Sequence, residues 1–151
     1  METKVEFDGE KLTVTRTFEA PRESVFDAWI EASKVELWWG CGQTTKTESQ
    51  VEPRVGGKYV HNMHLEGVGE FEIVGVIKEF DPPARLVYEA TDRRREGPAT
   101  TVQVDFVAED EGRTRVTLVQ DHLEPEFIEY VKDGWRAAFG KLGKFLLSEA
   151  A

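Results

Sequence analysis

The earliest pattern in the chain has a period of two. Leu12, Val14 and Phe18 mark one face of a half-buried strand between Lys11 and Phe18. Pro21 then suits the first turn of a helix, and Val25, Phe26, Trp29 and Ile30 recur at the spacing that gives it one apolar face. Ser33-Lys34-Val35-Glu36 has the S-x-x-E form of a capping box. It predicts a second, short helix that carries Trp38 and Trp39 and stops at Gly40. From Thr44 to His122 the pattern is strand after strand, with turn signals at Pro53, Gly56-Gly57, Glu66-Gly67, Asp81-Pro82-Pro83, Gly97-Pro98 and Glu111-Gly112. After Glu124 the period becomes helical through Glu149, with Phe127, Val131, Trp135, Ala138, Phe139, Leu142 and Phe145 on one stripe. Pro125 opens this helix. Glu126 and Glu129 near its start and Lys141 and Lys144 towards its end suit the helix dipole. Residues 1–9 are polar and are expected to form a flexible N-terminus, leaving 10–151 as a single domain of α+β class.

Two hairpins allow a register to be argued. A three-residue loop, Glu66-Gly67-Val68, sets Met63 opposite Phe71 and His61 opposite Ile73. A one-residue slip would exchange the faces, so the grouping of apolar residues selects this register. Tyr59, His61, Met63, Phe71 and Ile73 then face inward, and Val60, Asn62, His64, Glu70 and Glu72 face outward. In the last hairpin Val102, Val104 and Phe106 alternate inward, as do Thr114, Val116 and Leu118. Pairing Phe106 with Thr114 would place Asp105 opposite Arg115 on the outer face.

Composition narrows the function classes. A chain of 151 residues buries about 68–70% of its unfolded surface and needs no disulfide or structural metal. Cys41 is the single cysteine, which fits a reducing, cytoplasmic setting. METKVEFDGEKL has no apolar run of the secretory kind, and nowhere do the ~20 apolar residues of a membrane span occur. A net charge of −10 argues against a nucleic-acid partner, since phosphate binding rests on clustered Lys and Arg.

Several segments resemble one family taken together: RTFEAPRESVFDAWIEASKVELWWG (16–40), VEPRVGGKYVHNM (51–63), EFDPPARLVYEA (79–90), TTVQVDFVAEDEGRTRVTLVQ (100–120) and Gly134-Trp135. The chain is similar to the activator of heat-shock-protein-ninety ATPase homologue-like family, within the SRPBCC superfamily. That resemblance implies the helix-grip fold shared with START domains, birch-pollen allergens and polyketide cyclases. There a curved antiparallel sheet grips a long C-terminal helix around a cavity. Members of that superfamily bind lipids, hormones or polyketides or act as cyclases; on the pocket that the residues themselves suggest, binding of a small hydrophobic or aromatic molecule is expected, with a cofactor-free cyclase or isomerase as the alternative. A co-chaperone-like protein-interaction domain is the third reading.

On the residues themselves, the expected cavity wall comprises Trp39, Tyr59, His61, Met63, Phe71, Ile73, Tyr88, Gln120, Trp135 and Phe139. The inward polar groups Tyr88, Thr114 and Gln120 show no evident mutual network, and buried polar groups need partners. A dry void of ~400 Å³ would cost on the order of 10 kcal/mol, so such a cavity must be wet or filled. His61 is the candidate acid–base, with Tyr59 or Tyr88 as proton donor; its other reading is a core histidine with one hydrogen bond. No metal is expected: His61 and His64, three apart on a strand, point to opposite faces, and Cys41 lies far off in the pattern. Asp121-His122 is set aside as an acid–base pair, because strand neighbours diverge and the loop after them is exposed. Gly56-Gly57 reads as a turn, and Arg93-Arg94-Arg95 as a solvated hairpin tip in preference to an anion site. Of Trp38 and Trp39, one is expected to plug the core. The other would lie at the cavity mouth, as an entrance or as a contact for a weak homodimer or other protein partner.

Overall fold

The computed structural model describes residues 2–92 and 99–150. Arg93-Arg94-Arg95 and Gly97-Pro98 lie outside the described residues. Among the described residues eight strands form one antiparallel sheet: β1 (Lys4–Phe7), β2 (Leu12–Phe18), β3 (Thr44–Val51), β4 (Lys58–Leu65), β5 (Gly69–Asp81), β6 (Arg85–Asp92), β7 (Thr100–Asp110) and β8 (Arg113–Gln120). Their order is β1-β2-β8-β7-β6-β5-β4-β3, so the meander β3 to β8 is completed by the N-terminal hairpin beside β8. Between β2 and β3 come α1 (Arg22–Ile30) and α2 (Ala32–Val35), and the long α3 (Ile128–Ala150) follows a 3-10 turn at Pro125–Phe127. The sheet curves around α3, the helix-grip arrangement that the resemblance implies. Bulges at Ile77/Glu79 and Ala108/Asp110 interrupt the ladders, and such bulges bend strands.

The N-terminus departs from the expected flexible tail. Val5 and Phe7 alternate inward and pack against the core, and Lys4–Phe7 pairs with β2. Its connection is ordered by the Asp8 carboxylate, whose Oδ1 accepts the Glu10 and Lys11 N–H groups at 2.8 and 2.7 Å. A four-residue strand holds too few alternations to stand out from a polar segment.

On the sheet's inner face the β4–β5 register is the expected one, Met63 opposite Phe71 and His61 opposite Ile73, around the loop Glu66-Gly67-Val68. The β7–β8 register is not. Phe106 pairs with Val116, Val107 with Arg115, and Asp105 with Thr117 on β8 and Arg85 on β6. The turn is set by Asp110, which accepts the Gly112 N–H at 3.0 Å and pairs with Arg113 at 2.7 Å. This moves the pairing by two residues from the expected one. A two-residue slip keeps every side chain on its face, so the apolar pattern could not detect it.

The core is aromatic at its centre. Trp29 meets Trp38, Trp39, Phe106, Trp135 and Phe139 with ring centroids 4.6 to 6.3 Å apart. Trp38 plugs the core and Trp39 borders the cavity, as expected of the pair, but Trp39 is buried there and not exposed at the mouth. The reason is that α2 ends at Val35, earlier than expected and without a Ser33 cap. Trp38 sits in the following turn and donates its Nε1–H to the Ala28 carbonyl at 2.8 Å, while Trp39, its N–H bonded to the Val35 carbonyl at 2.9 Å, ends that turn and stacks on His61 of the sheet. On α3, Trp135, Ala138, Phe139, Leu142 and Leu146 are buried. Phe127, Val131 and Phe145 are half-buried. Because α3 continues to Ala150, Lys141 and Lys144 fall short of its last turn. Lys141 instead donates to the Cys41 carbonyl at 3.0 Å.

Candidate functional site

A cavity of about 530 Å³ lies between the inner face of β4–β8 and the N-terminal half of α3. The lengthwise change along α3 explains it. From Trp135 onward the helix is pressed into the core, whereas Phe127, Tyr130 and Val131 stand off the sheet and form the far wall. Small residues at facing positions leave the room: Gly40, Ala90, Gly134 and Ala138 all border it. A Cβ on Gly134 would meet only the Cys41 Cβ, at 4.0 Å. If dry, a void of this volume would cost about 13 kcal/mol at ~24 cal/mol per Å³, the scale of a whole domain's stability. It is therefore solvated or filled.

Seven of the expected wall residues border the cavity: Trp39, Met63, Phe71, Ile73, Tyr88, Gln120 and Trp135. Tyr59, His61 and Phe139 do not; all three are fully buried behind it. The polar positions have partners that the sequence did not reveal. Gln120 accepts the Trp135 Nε1–H at 2.8 Å and donates to Thr100 Oγ1 at 3.2 Å, which ties α3 to β8 and β7 at the wall. Thr114 donates to the Ala20 carbonyl at 2.8 Å, and Tyr59 to the Trp29 carbonyl at 2.7 Å. Burial raises the phenols of Tyr59 and Tyr88 well above their ordinary range, so neither releases a proton easily.

His61 takes the second of its two readings, a core histidine with one hydrogen bond. Its ring stacks on Trp39 with centroids 3.9 Å apart, and Trp39 presents the cavity surface in its place. Nδ1 lies 2.8 Å from the Ser49 hydroxyl, while the buried Nε2 has no hydrogen-bond partner. Burial pushes its pKa down to about 3, so the imidazole is neutral at physiological pH and a poor proton acceptor. His64, on the opposite side of the sheet, pairs with Glu48 at 2.8 Å and Glu70 at 3.5 Å.

Three features of the rim were not among the wall residues expected from the sequence. Cys41 borders the cavity, with Thr44 Oγ1 at 3.5 Å and the Tyr130 hydroxyl at 3.9 Å from its sulfur. Burial pushes this thiol up, but hydrogen bonds from Thr44, the Gln43 backbone and Tyr130 outweigh it and leave the pKa below the ordinary value. Glu124 and Glu126 supply carboxylates at the mouth. Finally, His122 borders the cavity and Asp121 holds it: Nδ1 is 2.7 Å from Asp121 Oδ1. The expectation that these neighbours diverge fails because β8 stops at Gln120 and His122 adopts φ 54°, turning its ring back on the preceding carboxylate, whereas the expected exposure holds, the His122 side chain being 61% exposed.

The family model described as "Activator of Hsp90 ATPase homolog 1-like protein" matches residues 19–146. No curated protein matches the sequence. Among solved structures, a protein from Rhodobacter sphaeroides superposes with a TM-score of 0.83 at 19% identity, covering 98% of this chain and 99% of that one. A protein from Nitrosomonas europaea gives 0.81 at 21% identity, over 95% and 99%. CalU16 from Micromonospora echinospora gives 0.67 at 21% identity, over 99% and 85%. At these identities the likeness is one of fold, the curved antiparallel sheet around a long C-terminal helix.

Proposed function

The chain belongs to the Activator of Hsp90 ATPase homolog 1-like family, and from that premise we propose that it binds a small hydrophobic or aromatic molecule between its sheet and α3. One observation carries this reading: a cavity of about 530 Å³ walled by Trp39, Met63, Phe71, Ile73 and Trp135, with a few polar groups held in place among them. Ligand sites are typically concave and mostly apolar, with sparse, oriented polar groups, and run to about 300–1,000 Å³. The Gln120–Trp135 bond keeps the wall in one geometry without a ligand, so little ordering is needed on binding. The unpaired Cys41 suits a reducing compartment, and the cytoplasm is the proposed location. Among the described residues no helix is long and apolar enough to cross a membrane. Catalysis through His61 has no support, since that ring neither borders the cavity nor readily accepts a proton.

The test uses the neutral dye N-phenyl-1-naphthylamine, whose fluorescence rises in apolar surroundings. Saturable binding at one site and a raised melting temperature are expected, since a ligand of the folded state stabilises it. Gly134→Leu is the decisive variant. Its side chain would occupy open space in the cavity, and replacing a mid-helix glycine favours the helix by up to ~1 kcal/mol. It should fold and lose the dye. Dye binding unchanged in a folded Gly134→Leu protein would place the site elsewhere.

A further inference from the structure

We propose that the Tyr88 hydroxyl selects the guest of this cavity, donating its hydrogen bond to the carbonyl oxygen of a neutral hydrophobic molecule. The inference deepens the binding reading and rests on it. Tyr88 lies on β6, where Leu86, Tyr88 and Ala90 alternate on the inner face, and it borders the cavity with only 1% of its surface exposed. The neighbouring Tyr59, its ring centroid 4.6 Å away, spends its O–H on the Trp29 carbonyl at 2.7 Å. The Tyr88 O–H finds no such acceptor among the described residues. Its oxygen is nevertheless not sealed in. The enclosed side-chain atoms without a partner there are Arg16 Nε, Trp29 Nε1, His61 Nε2 and Arg85 Nε. The trace of accessible surface left on Tyr88 therefore includes its oxygen, and the open space that Tyr88 borders is the cavity.

A buried donor left unmet costs more than an ordinary hydrogen bond returns, so a guest that offers an acceptor at this point is favoured over one that does not. The amide of the wall is already engaged, since Gln120 accepts from Trp135 at 2.8 Å and donates to Thr100 at 3.2 Å. Room beside the hydroxyl comes from Ala90, two residues along on the same face and itself part of the wall. The surroundings of the ring are aromatic, with Tyr59 at 4.6 Å and Trp39 at 6.4 Å between centroids, so the body of the guest at this end is apolar. Burial also raises this phenol well above its ordinary range by disfavouring the charged form, which keeps the proton on the oxygen as a donor. The same loss of water would meet a carboxylate laid against it. A ketone or other uncharged carbonyl therefore fits where an acid does not. Tyr88 acts here by recognition alone, and no covalent bond is made or broken.

The experiment compares 2-acetylnaphthalene with 2-isopropenylnaphthalene, which has nearly the same shape but a methylene in place of the carbonyl oxygen. Each displaces N-phenyl-1-naphthylamine from the parent protein and from Tyr88→Phe. Since the hydroxyl has no protein partner, Tyr88→Phe should keep the parent's melting temperature and its affinity for the dye. The ketone should bind the variant about 2- to 10-fold more weakly than the parent, and the alkene equally well. The carbonyl stretch of the bound ketone should lie at lower frequency in the parent than in Tyr88→Phe, a difference that altered packing would not produce. 2-Naphthoate should displace the dye about 10-fold less effectively than the ketone, or worse. Ketone affinity and carbonyl stretch unchanged in Tyr88→Phe overturn the donor role and leave the binding reading intact. Equal losses of ketone and alkene overturn it likewise, as an effect of packing. Naphthoate bound as tightly as the ketone overturns the choice of a neutral guest. Dye binding that Gly134→Leu abolishes but the ketone cannot displace keeps the cavity reading and removes this one. Absence of both dye and ketone binding removes the two together.

Discussion

Replacing His61 with leucine tests how the sheet wall is built, because the effect depends on pH in a way that only a buried, neutral imidazole produces. In the unfolded chain the ring has an ordinary pKa of 6.5; in the folded protein burial lowers it to about 3. As pH falls, the unfolded state takes up the proton first. The stability tied to this group is thus fully present above pH 6.5 and is lost progressively between 6.5 and 3. At 1.36 kcal/mol per pH unit, the loss reaches about 3 kcal/mol at pH 4.5 and on the order of 5 kcal/mol across the window. Leucine has no such dependence. At pH 7.5 the variant loses the Ser49 bond but also removes the unpartnered Nε2, so its stability should lie within about 1–2 kcal/mol of the parent. Urea unfolding of both proteins at pH 7.5 and 4.5 supplies the comparison. Every other titrating group is common to the two, so the difference isolates His61. The parent should lose about 3 kcal/mol more than the variant over this interval. Parallel pH profiles would refute the reasoning, because they would mean that the folded protein protonates His61 as easily as the unfolded chain does.

Phe139→Ala should cost about 3–5 kcal/mol in denaturant unfolding, since its ring is fully enclosed and touches Phe18, Trp29 and Trp135. Trp135→Ala should cost less despite the larger side chain, because one side of Trp135 faces the cavity; equal or greater loss would show tight packing there. Gly75→Ala should destabilise by about 1–3 kcal/mol, because its Cβ would lie 2.6 Å from the Tyr59 carbonyl oxygen and 3.2 Å from that of Glu89; an unchanged melting temperature would contradict this contact. Removing residues 124–151 uncovers the inner sheet face and should abolish cooperative unfolding, so a sharp thermal transition in that fragment would show that α3 is dispensable.

Much of the wall was legible because strand periodicity is local. The apolar alternation of Tyr59, His61 and Met63 against Phe71 and Ile73 admits one register, since a slip of one residue would carry the whole set to solvent. The same logic was blind to the two-residue displacement of β7 against β8, where Asp110 in the turn decided the pairing and the faces stayed as they were. It was blind also to depth. Tyr59, His61 and Phe139 share faces with residues that border the cavity, yet Trp39 and the rest of the aromatic cluster around Trp29 shut them off. Trp39 reached that position because α2 ended early, and His122 met Asp121 because a single φ angle turned positive just beyond β8. The chain's own pattern determined its elements, their faces and the long helix that covers the sheet, all set by neighbours a few residues apart. The open space, its rim and the groups aimed at it were decided by the tertiary structure, because volume depends on what faces what: Gly40 and Ala90 on one side, Gly134 and Ala138 on the other, brought together only by the fold.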